Sequence, residues 1–142
     1  MSSRGCQPGI SREPILVVDD SPTVVRLLRM ALETGGYSVE TASTGEEGLS
    51  RARELCPPVM LVDAMMPGLD GYELCASIRS DRTLVRQPHV IMLTASGQEA
   101  DRVRAEHAGV DEFMTKPFSP SNLLDRVAGV LRERDLTDER SD

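Results

Sequence analysis

Four aliphatic runs in this chain each end in a polar group. Ile15, Leu16, Val17 and Val18 run into Asp19 and Asp20; Val59 to Val62 run into Asp63; Val90 to Leu93 run into Thr94; and the stretch from Val110 to Thr115 runs into Lys116. Short continuous apolar runs of this kind fit strands buried on both faces of a parallel sheet. Tyr37 to Thr41 reads as a further strand.

Between the strands the period lengthens to that of a helix. Ser21 reads as an N-cap with Pro22 at the first helical position, and Val24, Leu28, Ala31 and Leu32 share one face until Gly35 and Gly36 stop the helix. A second helix is expected over about 45–55, ended by Pro57 and Pro58, and a third near 72–80. The fourth, about 98–107, has only Ala100, Val103, Ala105 and Ala108 for an apolar side, which predicts shallow packing. Leu123, Val127, Val130 and Leu131 give the last helix a buried stripe. Five strand–helix alternations predict an α/β fold with a doubly wound parallel sheet and right-handed crossovers, whose ligands bind outside the carboxyl ends of the strands.

Length and composition bound the object without identifying it. At 142 residues the chain is expected to hold one domain. Residues 1–12 and 135–142 read as polar tails around a folded body at 13–134. A net charge of -7 argues against nucleic acid as a direct partner, since phosphate binding needs clustered Lys and Arg. The first twelve residues lack an apolar leader, and the apolar runs are too short to span a membrane, so a cytoplasmic location is expected. Cys6, Cys56 and Cys75 lack metal or redox spacing and are read as unreactive thiols of a reducing compartment.

Three carboxylates, a hydroxyl and an ammonium therefore share one rim. Carboxylate oxygens are hard ligands that suit Mg2+. Three like charges about 5 Å apart repel by roughly 3 kcal/mol per pair at an effective dielectric near 20, so the cluster calls for a divalent ion, a lysine or a raised carboxyl pKa. Asp63, placed centrally, can act as a nucleophile that forms an aspartyl phosphate. Mg2+ and Lys116 would neutralise the transferring phosphoryl group.

Asp19-Asp20, the stretch from Asp63 through Ala64, Met65, Met66, Pro67, Gly68, Leu69 and Asp70 to Gly71, Thr94-Ala95, and Lys116-Pro117-Phe118 stand in a particular order and spacing. In these motifs the chain resembles the receiver domain of bacterial two-component response regulators, over about Pro14 to Arg132, and in particular its single-domain, chemotaxis-type members. The resemblance implies a flavodoxin-like sheet of order 2-1-3-4-5 with five helices. It implies phosphorylation of Asp63, Mg2+ held by Asp19, Asp20, Asp63 and Met65, catalysis by Asp63, Thr94 and Lys116, and a switch formed by Thr94 and Phe113. It further implies a histidine kinase or histidine phosphotransferase as donor. The downstream protein partner would be met on the fourth helix, fifth strand and fifth helix. No effector domain is read after the last helix, so output is expected through protein contacts of the receiver itself or through a partner in trans. In the family Met65 and Ser96 flank the incoming water, and neither offers a group to orient it, which suggests slow loss of the phosphoryl group. The Lys116–Pro117 bond is typically cis in such domains.

Plainer readings compete at each position. Asp19 and Asp20 could simply cap the following helix, Thr94 a short turn, and Lys116 could be a surface lysine. Asp70 and Gly71 read as turn and cap residues. Phe113 fits a core aromatic as well as a switch. His89 and His107 match no motif and read as solvated or capping groups. A second functional class is a Mg-dependent phosphatase with an aspartyl nucleophile acting on small substrates. That class places its two aspartates two residues apart on the first strand and adds a shielding cap, and neither feature is present. The expectation is therefore a signalling module, not an enzyme proper.

Overall fold

In the computed structural model, residues 14–84, 86–95, 98–116 and 118–140 are described, with side chains as far as residue 134. The elements alternate without exception: β1 (Ile15–Val18), α1 (Pro22–Thr34), β2 (Val39–Ala42), α2 (Gly45–Leu55), β3 (Val59–Asp63), α3 (Gly71–Arg79), β4 (His89–Thr94), α4 (Glu99–Ala108), β5 (Glu112–Thr115) and α5 (Pro120–Arg140). All strand pairs are parallel, and the sheet order is β2-β1-β3-β4-β5. This is the flavodoxin-like arrangement expected.

The aliphatic runs explain why the sheet lies inside. Every residue of β1 and β3 is buried. Leu16, Val18, Met60 and Val62 face one cluster with Leu74 and Ile78 of α3, while Ile15, Val17, Val59 and Leu61 face another with Leu28 and Leu32 of α1 and Leu123 and Val127 of α5. Alternate side chains of a strand point to opposite faces, so a run buried at every position needs helices on both sides. Each fully buried Leu or Ile contributes roughly 1.5–3 kcal/mol of transfer free energy, which makes these two layers the main source of stability.

Local capping sets where the helices begin. Ser21 Oγ accepts from the Val24 N–H at 3.3 Å, and Thr44 caps α2 in the same way through Glu47. Asp70 caps α3 in a reciprocal box with Glu73. As expected, α4 is shallow: Ala105 is its one buried residue.

Three expectations are corrected. β2 starts at Val39 rather than Tyr37, because the Tyr37 N–H bonds the Leu32 carbonyl at 3.1 Å and so completes the C-terminal turn of α1. α5 continues to Arg140, through much of the stretch read as a tail from 135; no glycine or proline occurs between 130 and 140. Cys56 is disulfide-bonded, whereas Cys75 is free and buried, its thiol pushed up to about 11 chiefly by burial. Cys6, the 1–12 tail, Ser96 and Pro117, and with it the expected cis bond, lie outside the described residues. No helix among the described residues is long and apolar enough to cross a membrane.

Candidate functional site

The strand order fixes the site. β1 and β3 are hydrogen-bonded neighbours with Val18 opposite Val62, so the residues that follow, Asp19 and Asp63, emerge side by side at the carboxyl edge. The Asp19 N–H is held by the Ala42 carbonyl at 3.1 Å, and the Ala64 N–H by the Leu93 carbonyl at 2.9 Å. Thr94 stands opposite Thr115 at the end of the β4–β5 pair, and the Lys116 N–H bonds the Thr94 carbonyl at 2.7 Å. Four strand ends thus deliver carboxylates, a hydroxyl and an ammonium to one place.

Gly71 holds the loop after Asp63 close to the sheet. A Cβ there would collide with the Asp63 carbonyl oxygen, and the Gly71 N–H bonds the Ala64 carbonyl at 3.1 Å. Asp70 and Gly71 therefore do structural work, as the sequence reading had it.

The rim is short of positive charge. One oxygen from each of Asp19, Asp20 and Asp63 lies within 4.8 Å of the others. Against these three carboxylates Lys116 brings one ammonium, with Nζ 3.2 Å from Asp63 Oδ1 and 3.9 Å from Asp19 Oδ2. Asp19 and Asp63 are buried and Asp20 is exposed. Asp19 Oδ1 accepts from the Ser21 N–H at 2.9 Å, yet Oδ2 is buried and accepts no hydrogen bond. The Asp19 carboxyl is raised above the usual range, first by burial and further by Asp63 and Asp20; the Ser21 bond and Lys116 oppose this.

A buried carboxylate oxygen without a donor is costly in a folded protein. Here it sits among hard oxygen donors, two of them carboxylates of neighbouring residues, and that set fits a small divalent cation such as Mg2+. Met65 is different. Its side chain is 70% exposed and its thioether is a soft donor, so only its main-chain carbonyl suits such an ion.

Thr94 is buried beside the rim. Phe113 is half-buried and packs against the small cluster of Ala64, Tyr72, Met92 and Ala105, with the Arg102 guanidinium 5.6 Å above its ring. The ring thus bridges β5 and α4. His89 Nε2 pairs with Glu112 Oε2 at 2.8 Å at the opposite edge of the sheet, and His107 lies in the last turn of α4. Neither histidine is near the rim.

Two residues escaped the sequence reading. Arg79 donates to the Gly109 carbonyl, Gln87, the Pro88 carbonyl and Asp111, and Arg104 reaches Asp70 and Tyr72. An isolated arginine carries no sequence signal for such contacts.

A family model described as the response regulator receiver domain matches residues 15–128. Two curated Bacillus subtilis proteins are each 43% identical. The transcriptional regulatory protein ResD matches over 123 residues, 87% of this chain and 50% of its own length. The alkaline phosphatase synthesis transcriptional regulatory protein PhoP matches over 122 residues, 86% and 50%. The chain thus spans about half the length of these relatives. Among solved structures, a CheY-like response regulator receiver domain protein from Methanospirillum hungatei superposes with a TM-score of 0.80 at 30% identity, covering 93% of this chain and 100% of that one.

Proposed function

The chain belongs to the family of response regulator receiver domains of two-component signalling, and we propose that its Asp63 accepts a phosphoryl group from a histidine kinase or histidine phosphotransferase. The observation that carries this reading is the rim itself: Asp63 Oδ1 lies 3.2 Å from the Lys116 ammonium, within a group of three carboxylates that includes a buried oxygen lacking any donor.

In the proposed reaction an Asp63 carboxylate oxygen attacks phosphorus as the P–N bond of the donor phosphohistidine breaks. The electron pair stays on the imidazole nitrogen, which is protonated. Lys116 holds the attacking carboxylate in place and meets the phosphoryl oxygens. Thr94, at the end of β4, is the hydroxyl positioned to hydrogen-bond them. Asp19, with Oδ1 fixed by the Ser21 N–H, keeps Oδ2 turned to the rim. Asp19, Asp20, Asp63 and the Met65 carbonyl would hold Mg2+, which supplies charge neutralisation to the transferring group when bound.

Phosphorylation turns the singly charged Asp63 carboxylate into a doubly charged acyl phosphate, and Thr94 can meet the new oxygens only by moving toward them. Phe113 turns into the space that is vacated, and the face made by α4, β5 and α5 changes its fit for a protein partner. That face is our proposed output surface, in a receiver body that starts near residue 13 and ends with α5. At most a slow loss of the phosphoryl group is expected from the chain itself. We place the protein in the cytoplasm, with no direct contact to nucleic acid or membrane through this domain.

Acetyl phosphate with Mg2+ should label Asp63 alone, as mapped by mass spectrometry, and excess chelator should abolish the label. Equal labelling in chelator would overturn the reading. Thr94→Ala should still be labelled, more slowly, and should lose most of the amide shifts that beryllofluoride induces over 98–116.

A further inference from the structure

The two ends of α4 are fastened by different means. At its C-terminal end Gly109, in the left-handed region at φ +88, closes the helix by donating to the Ala105 and Glu106 carbonyls. Arg79 then ties that turn to two other segments. Its Nε bonds the Gly109 carbonyl at 2.9 Å, Nη2 bonds Asp111 Oδ2 at 2.7 Å, and Nη1 bonds Gln87 Oε1 and the Pro88 carbonyl at 2.7 and 2.9 Å.

Toward the N-terminal end there is little apolar hold. Ala105 is the one buried residue of α4, Val103 is exposed, and the cluster beneath consists mainly of the small or slender side chains Ala64, Met92 and Ala105 around the ring of Tyr72. The first turn meets β5 through Arg102, whose guanidinium lies over the Phe113 ring, and the middle of the helix is fastened to α3 by Arg104. Its guanidinium lies 4.2 Å from the centroid of the Tyr72 ring, and Nη2 is 2.9 Å from Asp70 Oδ2.

Both partners of Arg104 lead back to the rim. Asp70 is the N-cap of α3, at the end of the loop that starts from Asp63. Tyr72 packs in the same cluster as Ala64, the residue after Asp63. A segment with few buried apolar contacts opens locally at low cost, so polar fastenings such as this one bear strongly on its position.

We propose that Arg104 is a latch: α4 pivots about the Gly109–Arg79 anchor, and the contact of Arg104 with Tyr72 and Asp70 sets how readily the state of Asp63 repositions the helix. The coupling to Asp63 rests on the phosphoacceptor reading above; the latch and pivot in the resting protein do not. The Arg104 side chain is half-exposed, so the ion-pair part of the latch is weakened by salt, whereas the stacked part is not.

Hydrogen exchange read by mass spectrometry on the full chain, without phosphodonor, tests the latch. Arg104→Gln should speed exchange over 99–105 by about five- to tenfold, as expected for loss of one cation–π contact and one exposed ion pair, and leave 109–115 unchanged. Asp70→Asn keeps the cap, because Asn caps as well as Asp, and should give a smaller rise in the same segment. Arg104→Lys should restore only the salt-sensitive part. No change over 99–105 in Arg104→Gln would overturn the latch, and an equal rise over 109–115 would overturn the pivot. A second arm measures the affinity for beryllofluoride with Mg2+. Arg104→Gln should bind about fivefold more tightly, since the latch no longer opposes the repositioned helix. Faster exchange with unchanged affinity would overturn the coupling. A wild-type protein that does not bind beryllofluoride would sink the phosphoacceptor reading, with the exchange result still deciding the latch.

Discussion

The two edges of the sheet handle charge in opposite ways. At the edge where β4 and β5 begin, polar groups are matched: Asp111 accepts from Arg79 and from the Val90 N–H, and Glu112 accepts from Arg126 while pairing with His89. At the edge where β1 and β3 end, three carboxylates face one ammonium and a buried oxygen goes without a donor. Both edges belong to one five-stranded sheet, so the difference lies in the side chains that each edge presents. A matched network fixes strand ends to their neighbours; an unmatched one stores unfavourable energy that a bound ion or a transferred group can relieve. The same contrast separates two single aspartates. Burial raises the Asp19 carboxyl, whereas hydrogen bonds from Thr83 and Arg53 hold Asp81 down to about 2.

The largest effect expected from breaking this contrast is at the rim. Asp63→Asn removes the nucleophile and should lower labelling by acetyl phosphate at least about a hundredfold by intact-mass spectrometry, with little change in fold. Residual labelling at the wild-type rate would show that the reactive group lies elsewhere.

On the matched edge the same kind of surgery should cost stability and spare chemistry. Arg79→Ala strips partners from Asp111, Gln87 and two carbonyls, and should destabilise by roughly 2–3 kcal/mol. The urea midpoint should fall while labelling of the folded protein stays within about twofold.

Asp19→Asn should do the reverse. Without metal at pH 7 it should stabilise the fold on the order of 1 kcal/mol, as removal of a strained functional charge commonly does, while weakening Mg2+ binding about tenfold. Because the folded pKa of Asp19 lies above its unfolded value, the ionised group opposes folding at neutral pH. Its protonation returns that stability as pH falls through the raised pKa, and the gain is complete below the unfolded value. Melts of wild type and variant should therefore converge on acidification. A variant less stable than wild type at pH 7 would mean that Asp19 is chiefly a cap.

The smallest effect is at Asp81, where the sign is opposite. Its pKa is lowered in the fold, so its contribution is present above the unfolded value and is lost as pH falls toward 2. Asp81→Asn should melt slightly lower than wild type at pH 7 and together with it near pH 2. Divergence that grows toward low pH would reverse the assignment.

How much of this could be read from the sequence depended on how far apart the partners lie. The buried runs of β1, β3 and β4 and the caps at Ser21 and Asp70 are local patterns, and the structure places them where the pattern does. The strand order came from the family resemblance, because periodicity cannot say which strands are neighbours. Asp19 and Asp63 were legible as rim residues, since each ends an aliphatic run. The strained state of Asp19 Oδ2 was not, because it depends on the Ser21 N–H occupying the other oxygen. Arg79 and Arg104 stayed hidden for a related reason: Gly109 and Asp70 stand 30 and 34 positions from them in the chain, and nothing local marks the pairs. Tyr37 misled because one apolar residue before a strand looks like its first residue, whereas its N–H serves the preceding helix.

The strand order also has a consequence for a chain emerging from the ribosome. β1, β2 and β3 complete the β2-β1-β3 half of the sheet by residue 63, and β4 and β5 then add at one edge in order of synthesis. Asp19 and Asp63 can therefore meet before Lys116 has been made, 53 residues later. At 5–20 residues per second that interval is about 3–10 s. A half-sheet that formed in that time would hold its acidic rim without the ammonium that accompanies it in the finished protein, and a divalent cation from solution would be the counter-charge first within reach.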